Sequence, residues 1–302
     1  MGFAWLITFL FLTGFVLLNK QLDTRTVPGD TGHTLSRDMA DVWDYAFWSA
    51  FVMFLVSRLA LAFTLDGYPS DMSCWAAWGQ RLAETGTSSF YAADYFCDYP
   101  PGYLYILGLL SRFAGVFHLQ SAGIAFLDKL PAVVCDMALF ALLFKLGRRF
   151  FNGKAALILS CVFMLCPIFC LDSAVWGQIE SVLMFLLVLS IFRLYEKRYL
   201  SAVLIYVLAV LVKPQGLILA PIYLFALLET KSWKVFLSSA LGGLILFWAL
   251  TMPFSAAWQT HTGMTAFLHA LNPVWIIQKY LATLASYPYF SVNAFNLYSL
   301  LG

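Results

Sequence analysis

The stretch from Asp66 to Pro101, DGYPSDMSCWAAWGQRLAETGTSSFYAADYFCDYPP, is polar and acidic and lies between long apolar runs. It sets carboxylates among aromatic rings and ends in Tyr99-Pro100-Pro101. Two consecutive prolines remove two backbone donors and disfavour helix in the residue before each, so the chain there is expected to be extended or sharply turned. The stretch fits a sugar site, where acids pair with hydroxyl groups and flat rings cover C–H faces. The alternative is an outer loop that acids keep soluble, with its aromatic side chains at the lipid interface.

The rest of the chain has the composition of a membrane protein. Of its 302 residues, 62% are hydrophobic and 11% are charged, and the mean hydropathy is +0.80. Soluble domains are about 45–50% apolar. The sequence therefore predicts an all-α, polytopic membrane protein embedded among membrane lipids. The formal net charge of +2 is too small to argue for a nucleic-acid partner, and none is predicted.

About eight apolar runs approach the roughly 17–25 residues that a membrane-spanning helix needs. They are Gly2–Leu18, Tyr45–Leu65, Ile124–Phe144, Ala155–Leu171, Ser181–Tyr195, Tyr199–Val212, Gly216–Leu228 and Val235–Met252. The first has no basic residue on its N-terminal side and no A-x-A-like cleavage site, so it is predicted to be a retained anchor. A further run, Gly102–Leu119, is interrupted by Arg112 and His118. We interpret it as a juxtamembrane or re-entrant helix.

Basic residues cluster in short connections, which predicts that these connections are cytoplasmic. The clusters are Lys145, Arg148, Arg149 and Lys154, then Lys197 and Arg198, then Lys231 and Lys234. The mixed-charge segment 19–44 is interpreted as a cytoplasmic linker and residues 66–123 as an outer loop with juxtamembrane helices. All belong to a single predicted membrane domain spanning residues 1–302.

This sidedness places polar residues from separate loops at or near the outer face. They are Asp71, Asp98, Asp128, Lys129, Asp172, Trp176, Gln178, Glu180, Lys213, Gln215 and His261. Ionisable residues at membrane depth are costly and are functional candidates for that reason. A structural role is the alternative for each: Lys129 and Lys213 would snorkel, and Trp176 would belong to the interfacial belt. Asp136 would be a buried, hydrogen-bonded acid.

The six cysteines show no CxxC or Cys/His spacing, so no zinc site is predicted. Cys74 and Cys97 both lie in the acidic stretch. In an oxidising compartment a disulfide between them would close this stretch. Free thiols are the alternative.

Several short motifs follow one another in a recognisable order. They are Asp71, Phe90-Tyr91, Asp98-Tyr99-Pro100-Pro101-Gly102-Tyr103, Lys129-Leu130-Pro131 with Asp136, Leu171-Asp172, Trp176-Gly177-Gln178-Ile179-Glu180, Lys213-Pro214-Gln215 with Pro221, and Asn293-Ala294-Phe295-Asn296. From about Tyr45 to Gly302 the chain resembles the GT-C superfamily of integral-membrane glycosyltransferases. It resembles in particular bacterial proteins related to the second mannosyltransferase of GPI-anchor synthesis. The Asp-Tyr-Pro-Pro and Lys-x-Gln elements are also similar to dolichyl-phosphate-glucose-dependent glucosyltransferases. Members of the superfamily usually continue for several more helices, so C-terminal helices are expected to be missing here.

The resemblance implies an inverting transfer of a hexose, mannose being the expected sugar, from a polyprenyl-phosphate donor to a glycan or lipid acceptor. The reaction is expected at the outer face of a bacterial plasma membrane. Asp71 matches the family's acid at the start of the first outer loop, which serves as general base or orients the acceptor, and a base must lie within hydrogen-bond reach of the acceptor hydroxyl. The leaving phosphate needs cations, for which Lys213, Lys129 or a protonated His261 are candidates.

The other candidates implied by the resemblance bind substrate. Asp98 and Tyr99 would shape the acceptor or donor sugar pocket, and Trp176, Gln178 and Glu180 would line the same cavity. Asp172 and Gln215 are the other substrate-binding candidates. No cofactor is expected. A divalent cation that bridges acids and phosphate is conceivable, although no ligand spacing demands one.

Two rival functions stay open at the level of sequence. A transporter or flippase for lipid-linked sugars would place polar residues on broken helices at the bilayer midplane, and Lys213-Pro214-Gln215-Gly216 is a candidate break. A catalytically silent scaffold that holds a partner enzyme would tolerate loss of Asp71.

Overall fold

The computed structural model describes residues 34–91 and 95–285. Thirteen α-helices occur in this part of the chain, and no strand occurs in it. They are α1 Thr34–Thr64, α2 Pro69–Thr85, α3 Pro101–Val116, α4 Ser121–Phe150, α5 Gly153–Leu165, α6 Pro167–Cys170, α7 Glu180–Tyr195, α8 Tyr199–Val212, α9 Ala220–Glu229, α10 Trp233–Thr251, α11 Ala257–Thr260, α12 Gly263–Ala270 and α13 Val274–Ala285. A π-helical turn covers Leu171–Trp176, and 3₁₀ turns cover Pro214–Leu219 and Met252–Phe254. The predicted all-α class is confirmed.

Three helical segments of the described chain are long and apolar enough to cross a membrane: Val42–Thr64, Ser121–Phe150 and Trp233–Phe254. A fourth arises if Gly153–Leu165 and Pro167–Trp176, which are bent by 55°, count as one span. Tyr199–Val212 and Pro214–Glu229 are apolar but shorter. These segments confirm a polytopic membrane protein. The predicted anchor Gly2–Leu18 and the motif Asn293–Asn296 lie outside the described residues.

Two helix boundaries differ from those the sequence predicts. Helix α1 begins at Thr34, so the end of the predicted linker 19–44 is helical, while the apolar part of the helix starts only at Val42. The predicted run Ala155–Leu171 is broken at Cys166 because Pro167 follows, and a residue before proline is driven out of helical geometry.

Proline also shapes the start of α3 and the end of α8. Pro100 is extended, with φ −72° and ψ 167°, and Pro101 opens α3, where its missing donor costs nothing. This confirms the extended chain predicted at Tyr99-Pro100-Pro101. Lys213 is also extended, because the residue before a proline is driven out of helical geometry and Pro214 follows it. The chain then continues as a 3₁₀ turn.

The described residues form two compact units. The first comprises the residues up to Tyr68 together with Lys129–Ser181. Its core is aromatic: the Phe47 ring stacks on Phe144 at 4.5 Å and lies 5.0 Å from Phe140. Gly147 lets α4 approach α5 closely, because a Cβ there would lie 2.9 Å from the Ala156 Cβ.

The second unit comprises Pro69–Asp128 and the residues from Val182 on. Helices α2 and α3 pack tightly where Gly79 faces the Leu107 carbonyl, since a Cβ on Gly79 would come within 2.9 Å of that oxygen. Gly102 lies even closer to the backbone of α8, where a Cβ would stand 2.5 Å from the Leu211 carbonyl oxygen. These close backbone contacts fix the start of α3, and with it the loop that precedes it.

Candidate functional site

The first group of site residues, in the second unit, begins with Asp71 in the first turn of α2. Trp75 and Trp78 follow one and two turns later and are buried. The Trp75 ring lies 4.9 Å from Tyr99 and 5.6 Å from Tyr103, both centroid to centroid. The helix that carries Asp71 is therefore joined through aromatic rings to the loop before α3.

Asp71 and Asp98 act on a common neighbour, the thiol of Cys74. Its pKa is raised first by burial and then by the negative charges of Asp98 and Asp71. Both carboxylates are half-buried. The structure thus brings these two predicted site residues within electrostatic reach of one thiol.

The loop before α3 is fixed by side chains that donate to its carbonyls. The Trp78 indole Nε1 donates to the Phe96 oxygen at 2.9 Å, and the Tyr91 hydroxyl donates to the Tyr99 oxygen at 2.7 Å. Burial raises the pKa of Tyr91 well above its ordinary value, which keeps its hydroxyl protonated as a donor. The segment that carries Asp98 is therefore held in place through its backbone.

Helix α13 contributes two further contacts that sequence reasoning missed. The Lys279 ammonium donates to the Cys97 carbonyl and lies 4.8 Å from the centroid of the Tyr91 ring. The Thr283 hydroxyl donates to the Asp98 carbonyl at 3.0 Å. Burial lowers the pKa of Lys279, while the nearby Cys97 and Asp98 act in the opposite sense. A lone lysine in the apolar sequence VWIIQKYLATLA was the available signal.

Lys213 lies at the C-terminal end of α8 and is buried, with 8% of its surface exposed. Its ammonium lies 5.5 Å from the centroid of the Tyr99 ring, so the predicted phosphate-binding cation and the predicted pocket residue are neighbours. Gln215 is exposed on the 3₁₀ turn that follows. His261 stacks on His269 with centroids 4.2 Å apart, and its Nδ1 lies 2.8 Å from the Thr260 hydroxyl oxygen.

A second group of site residues lies in the first unit, along Asp172–Glu180. The π-turn ends at Gly177, whose φ of 90° suits glycine, and the Gly177 and Gln178 amides both donate to the Asp172 carbonyl. Trp176 stacks on Tyr68 at 4.6 Å, and its carbonyl accepts from the Tyr68 amide at 2.8 Å.

Lys129 is fully buried in the first unit, and its ammonium is engaged by backbone. It donates to the carbonyls of Ala62 and Leu65 at the end of α1. A cation there satisfies terminal carbonyls and offsets the negative end of the helix dipole. Its predicted role toward phosphate stays a prediction.

Two sequence predictions concern the cysteines of the acidic stretch and the side chains that could bind a metal ion. Cys74 and Cys97 are both free, so the structure carries the free-thiol alternative and not the disulfide. Within residues 34–91 and 95–285, no group of three or more His, Cys, Asp or Glu side chains could hold a metal ion.

Long apolar helices define a membrane protein, and its second unit groups two acids with aromatic rings and a buried lysine. Residues 95–289 match the family model of glycosyltransferase family 87. The match covers more than half of the chain, which therefore belongs to glycosyltransferase family 87 and is a membrane glycosyltransferase. Neither a curated protein nor a solved structure matches it. The matched range includes Asp98, Lys213 and Lys279 and begins after Asp71.

Proposed function

We propose that this protein is an inverting hexosyltransferase, of GT-C type, that moves mannose from a polyprenyl-phosphate donor to a glycan or lipid acceptor. The reaction would take place at the outer face of a bacterial plasma membrane. One observation carries the proposal: the charges of Asp98 and Asp71 both raise the pKa of the Cys74 thiol, and the buried Lys213 ammonium lies 5.5 Å from the centroid of the Tyr99 ring, next to Asp98 in the chain. Acids and a cation are thus grouped in one compact unit.

Asp71 is the proposed general base. Its carboxylate accepts the proton of an acceptor hydroxyl as that oxygen bonds to the anomeric carbon. The bond from that carbon to the phosphate oxygen breaks, and its electron pair leaves with the lipid phosphate. Because the acceptor enters opposite the leaving group, the anomeric configuration inverts.

Lys213 is the proposed counter-charge for the leaving phosphate. A preorganised ammonium in a water-poor site stabilises the negative charge that develops as the bond breaks. Asp98 and Tyr99 would contact the sugar, and the carbonyl contacts from Tyr91 and Thr283 would hold them in position. The resemblance of the sequence motifs to GPI-anchor mannosyltransferases is the reason for proposing mannose rather than glucose.

The transporter is the second candidate, and one observation favours it. The chain is broken at Lys213, which is extended, and continues as the 3₁₀ turn Pro214–Leu219. Broken helices with polar residues are typical of transporter sites. Membership of a glycosyltransferase family weighs against this candidate.

The proposal is tested by transfer of labelled sugar from polyprenyl-phosphate-mannose, and separately from polyprenyl-phosphate-glucose, in membranes that carry wild-type protein or Asp71→Asn. The substitution keeps the size of the side chain and removes the base, so the transfer rate should fall by about 10²–10⁴-fold. Glu84→Gln is the matched control because Glu84 is an exposed carboxylate on the same helix, and it accepts a hydrogen bond from the Gln80 amide one turn earlier. If Asp71→Asn protein that is inserted in the membrane transfers sugar at the wild-type rate, Asp71 is not the general base.

A further inference from the structure

The first unit contains a buried ion pair that the proposed reaction does not use. Arg58 of α1 and Asp136 of α4 are 1% and 0% exposed, and Arg58 Nε lies 2.9 Å from Asp136 Oδ2. Arg58 Nη2 also donates to the Met164 carbonyl at 3.2 Å, near the end of α5. One guanidinium therefore connects α1, α4 and α5.

Two serine hydroxyls complete the surroundings of Asp136. Ser173 Oγ lies 2.6 Å from Asp136 Oδ2, and Ser181 Oγ lies 2.5 Å from Asp136 Oδ1. Ser173 lies in the π-turn and Ser181 in the first turn of α7. The two serines thus attach both ends of the segment between them to a single carboxylate.

The burial pattern of this segment separates residues that anchor it from residues that it presents. Ser173, Ala174, Ile179 and Ser181 are buried. Apart from Gly177, which is also buried, the other members are half-buried or exposed: the predicted site residues Asp172, Trp176, Gln178 and Glu180, and the apolar Val175. Trp176 is 42% exposed although its ring stacks on Tyr68.

A buried ion pair adds little net stability, because removing two charges from water costs about as much as their attraction returns. In some proteins such a pair fixes one arrangement of the chain, and here the pair is joined to the π-turn through Ser173. π-helical turns are rare and occur often at functional sites. Carboxylates, an amide and a stacked ring on one segment suit the hydroxyl groups and the C–H face of a sugar.

We propose that Arg58 and Asp136 are positioning residues: through Ser173 and Ser181 they hold the segment Asp172–Glu180 so that it presents Asp172, Trp176, Gln178 and Glu180 to the saccharide part of a substrate. This inference rests on the proposed function. It assigns the ion pair to substrate binding and not to the chemical step.

The main test replaces the pair without leaving a buried charge. Arg58→Met with Asp136→Leu removes both charges and the serine acceptor, and paired apolar replacements of this kind are usually tolerated by the fold. Arg58→Met with Asp136→Asn also removes the charges but keeps a carbonyl that can accept from a serine. Purified proteins in nanodiscs are compared by hydrogen exchange of the 171–181 peptides and by kcat and KM for transfer from polyprenyl-phosphate-mannose.

The leucine variant should exchange the 171–181 amides faster than wild type, with the peptides of the second unit unchanged. Its KM for the saccharide substrate should rise by about tenfold or more, with a smaller effect on kcat. The asparagine variant should recover part of both effects. Exchange and KM equal to wild type in a folded leucine variant would overturn the proposal.

A serine variant tests the positioning role if neither of the two ion-pair variants folds. Ser173→Ala with Ser181→Ala keeps the ion pair and removes the two attachments, together with the contact of Ser173 Oγ to the Phe169 carbonyl at 2.9 Å, so it should also speed exchange of the 171–181 peptides. Ser160→Ala is the matched control, since Ser160 is a buried serine of the same unit that donates to the Ala156 carbonyl at 2.8 Å. Equal exchange in the serine variant and in this control would overturn the proposal.

Failure of the proposed function is distinguishable from failure of this inference. If wild-type protein transfers no sugar from either donor, the proposed function fails, and the exchange of the 171–181 peptides alone decides whether the ion pair positions the segment.

Discussion

At the scale of single residues, the loop before α3 owes its conformation to contacts made far away in sequence. The acidic stretch and its aromatic residues predicted a polar site, and the double proline predicted its extended end. Lys279 and Thr283 of α13 could not be predicted as partners of this loop, because they bind the carbonyls of Cys97 and Asp98, which any residue type would provide. A sequence pattern identifies side chains, whereas the acceptors in these two contacts are backbone carbonyl oxygens, which every residue has.

Cys97 is expected to be a slow thiol. Burial raises its pKa from 9.0 to about 12, although the Lys279 charge and a backbone contact oppose the shift. A raised pKa leaves more of the group protonated, so at pH 8 its thiolate fraction should be about a thousandfold below that of an ordinary cysteine. Iodoacetamide labelling with peptide mapping should find Cys97 slower than the more exposed Cys74, with a rate that rises with pH. Equal rates at the two thiols would contradict this expectation, and protection of both until reduction would show a disulfide.

Lys279→Met should weaken the site without unfolding the protein. It removes the ammonium that holds the Cys97 carbonyl and faces the Tyr91 ring, so Asp98 loses one of its supports. Transfer from polyprenyl-phosphate-mannose should fall by about tenfold or more. Lys234→Met, at an exposed lysine in the first turn of α10, is the control. If Lys279→Met transfers sugar at the wild-type rate, Lys279 does not support the site.

At the scale of elements, the helices were predictable from apolar runs, and their breaks were predictable only in part. Pro167 and Pro214 signal the two breaks, and their effect follows from the geometry of the preceding residue. The π-turn at Leu171–Trp176 carries no such signal, because its stability comes from contacts with residues distant in sequence, the buried Asp136 and the exposed Tyr68.

Gly102→Ala should destabilise the contact between α3 and α8. The new Cβ would lie 2.5 Å from the Leu211 carbonyl oxygen, and backbone cannot move aside cheaply. Forced overpacking of this kind costs about 1–3 kcal/mol, and a thermal unfolding assay in nanodiscs should show a lower Tm. Gly115→Ala is the matched control on the same helix, since its Cβ meets nothing within 4 Å, and it should leave the Tm unchanged or raise it. A Gly102→Ala protein as stable as this control would contradict the close contact.

At the scale of the whole molecule, composition alone identified a polytopic membrane protein, and the described helices confirm that class. The grouping of the polar residues was only partly predictable. Asp71, Asp98, Tyr99 and Lys213 come together in one unit, and the Asp172–Glu180 segment is built in the other. Such grouping depends on long-range packing, which hydropathy and charge patterns do not encode.

The sidedness predicted from the basic clusters can be measured directly. Thr85→Cys, at the exposed end of α2, should react with a membrane-impermeant maleimide in intact cells. Phe151→Cys, at an exposed position in the basic connection between α4 and α5, should react only after permeabilisation. Peptide mapping separates these labels from those on native cysteines. The reverse pattern would place the acidic stretch on the cytoplasmic side.

The most direct test of sugar transfer follows both products of the reaction made by purified protein in nanodiscs. With polyprenyl-phosphate-mannose and an acceptor extract, mass spectrometry should find equal amounts of polyprenyl phosphate released and mannoside formed. NMR should find the anomeric configuration of the mannoside inverted relative to the donor. An intact donor that merely crosses the bilayer of proteoliposomes, or a mannoside of retained configuration, would contradict the account.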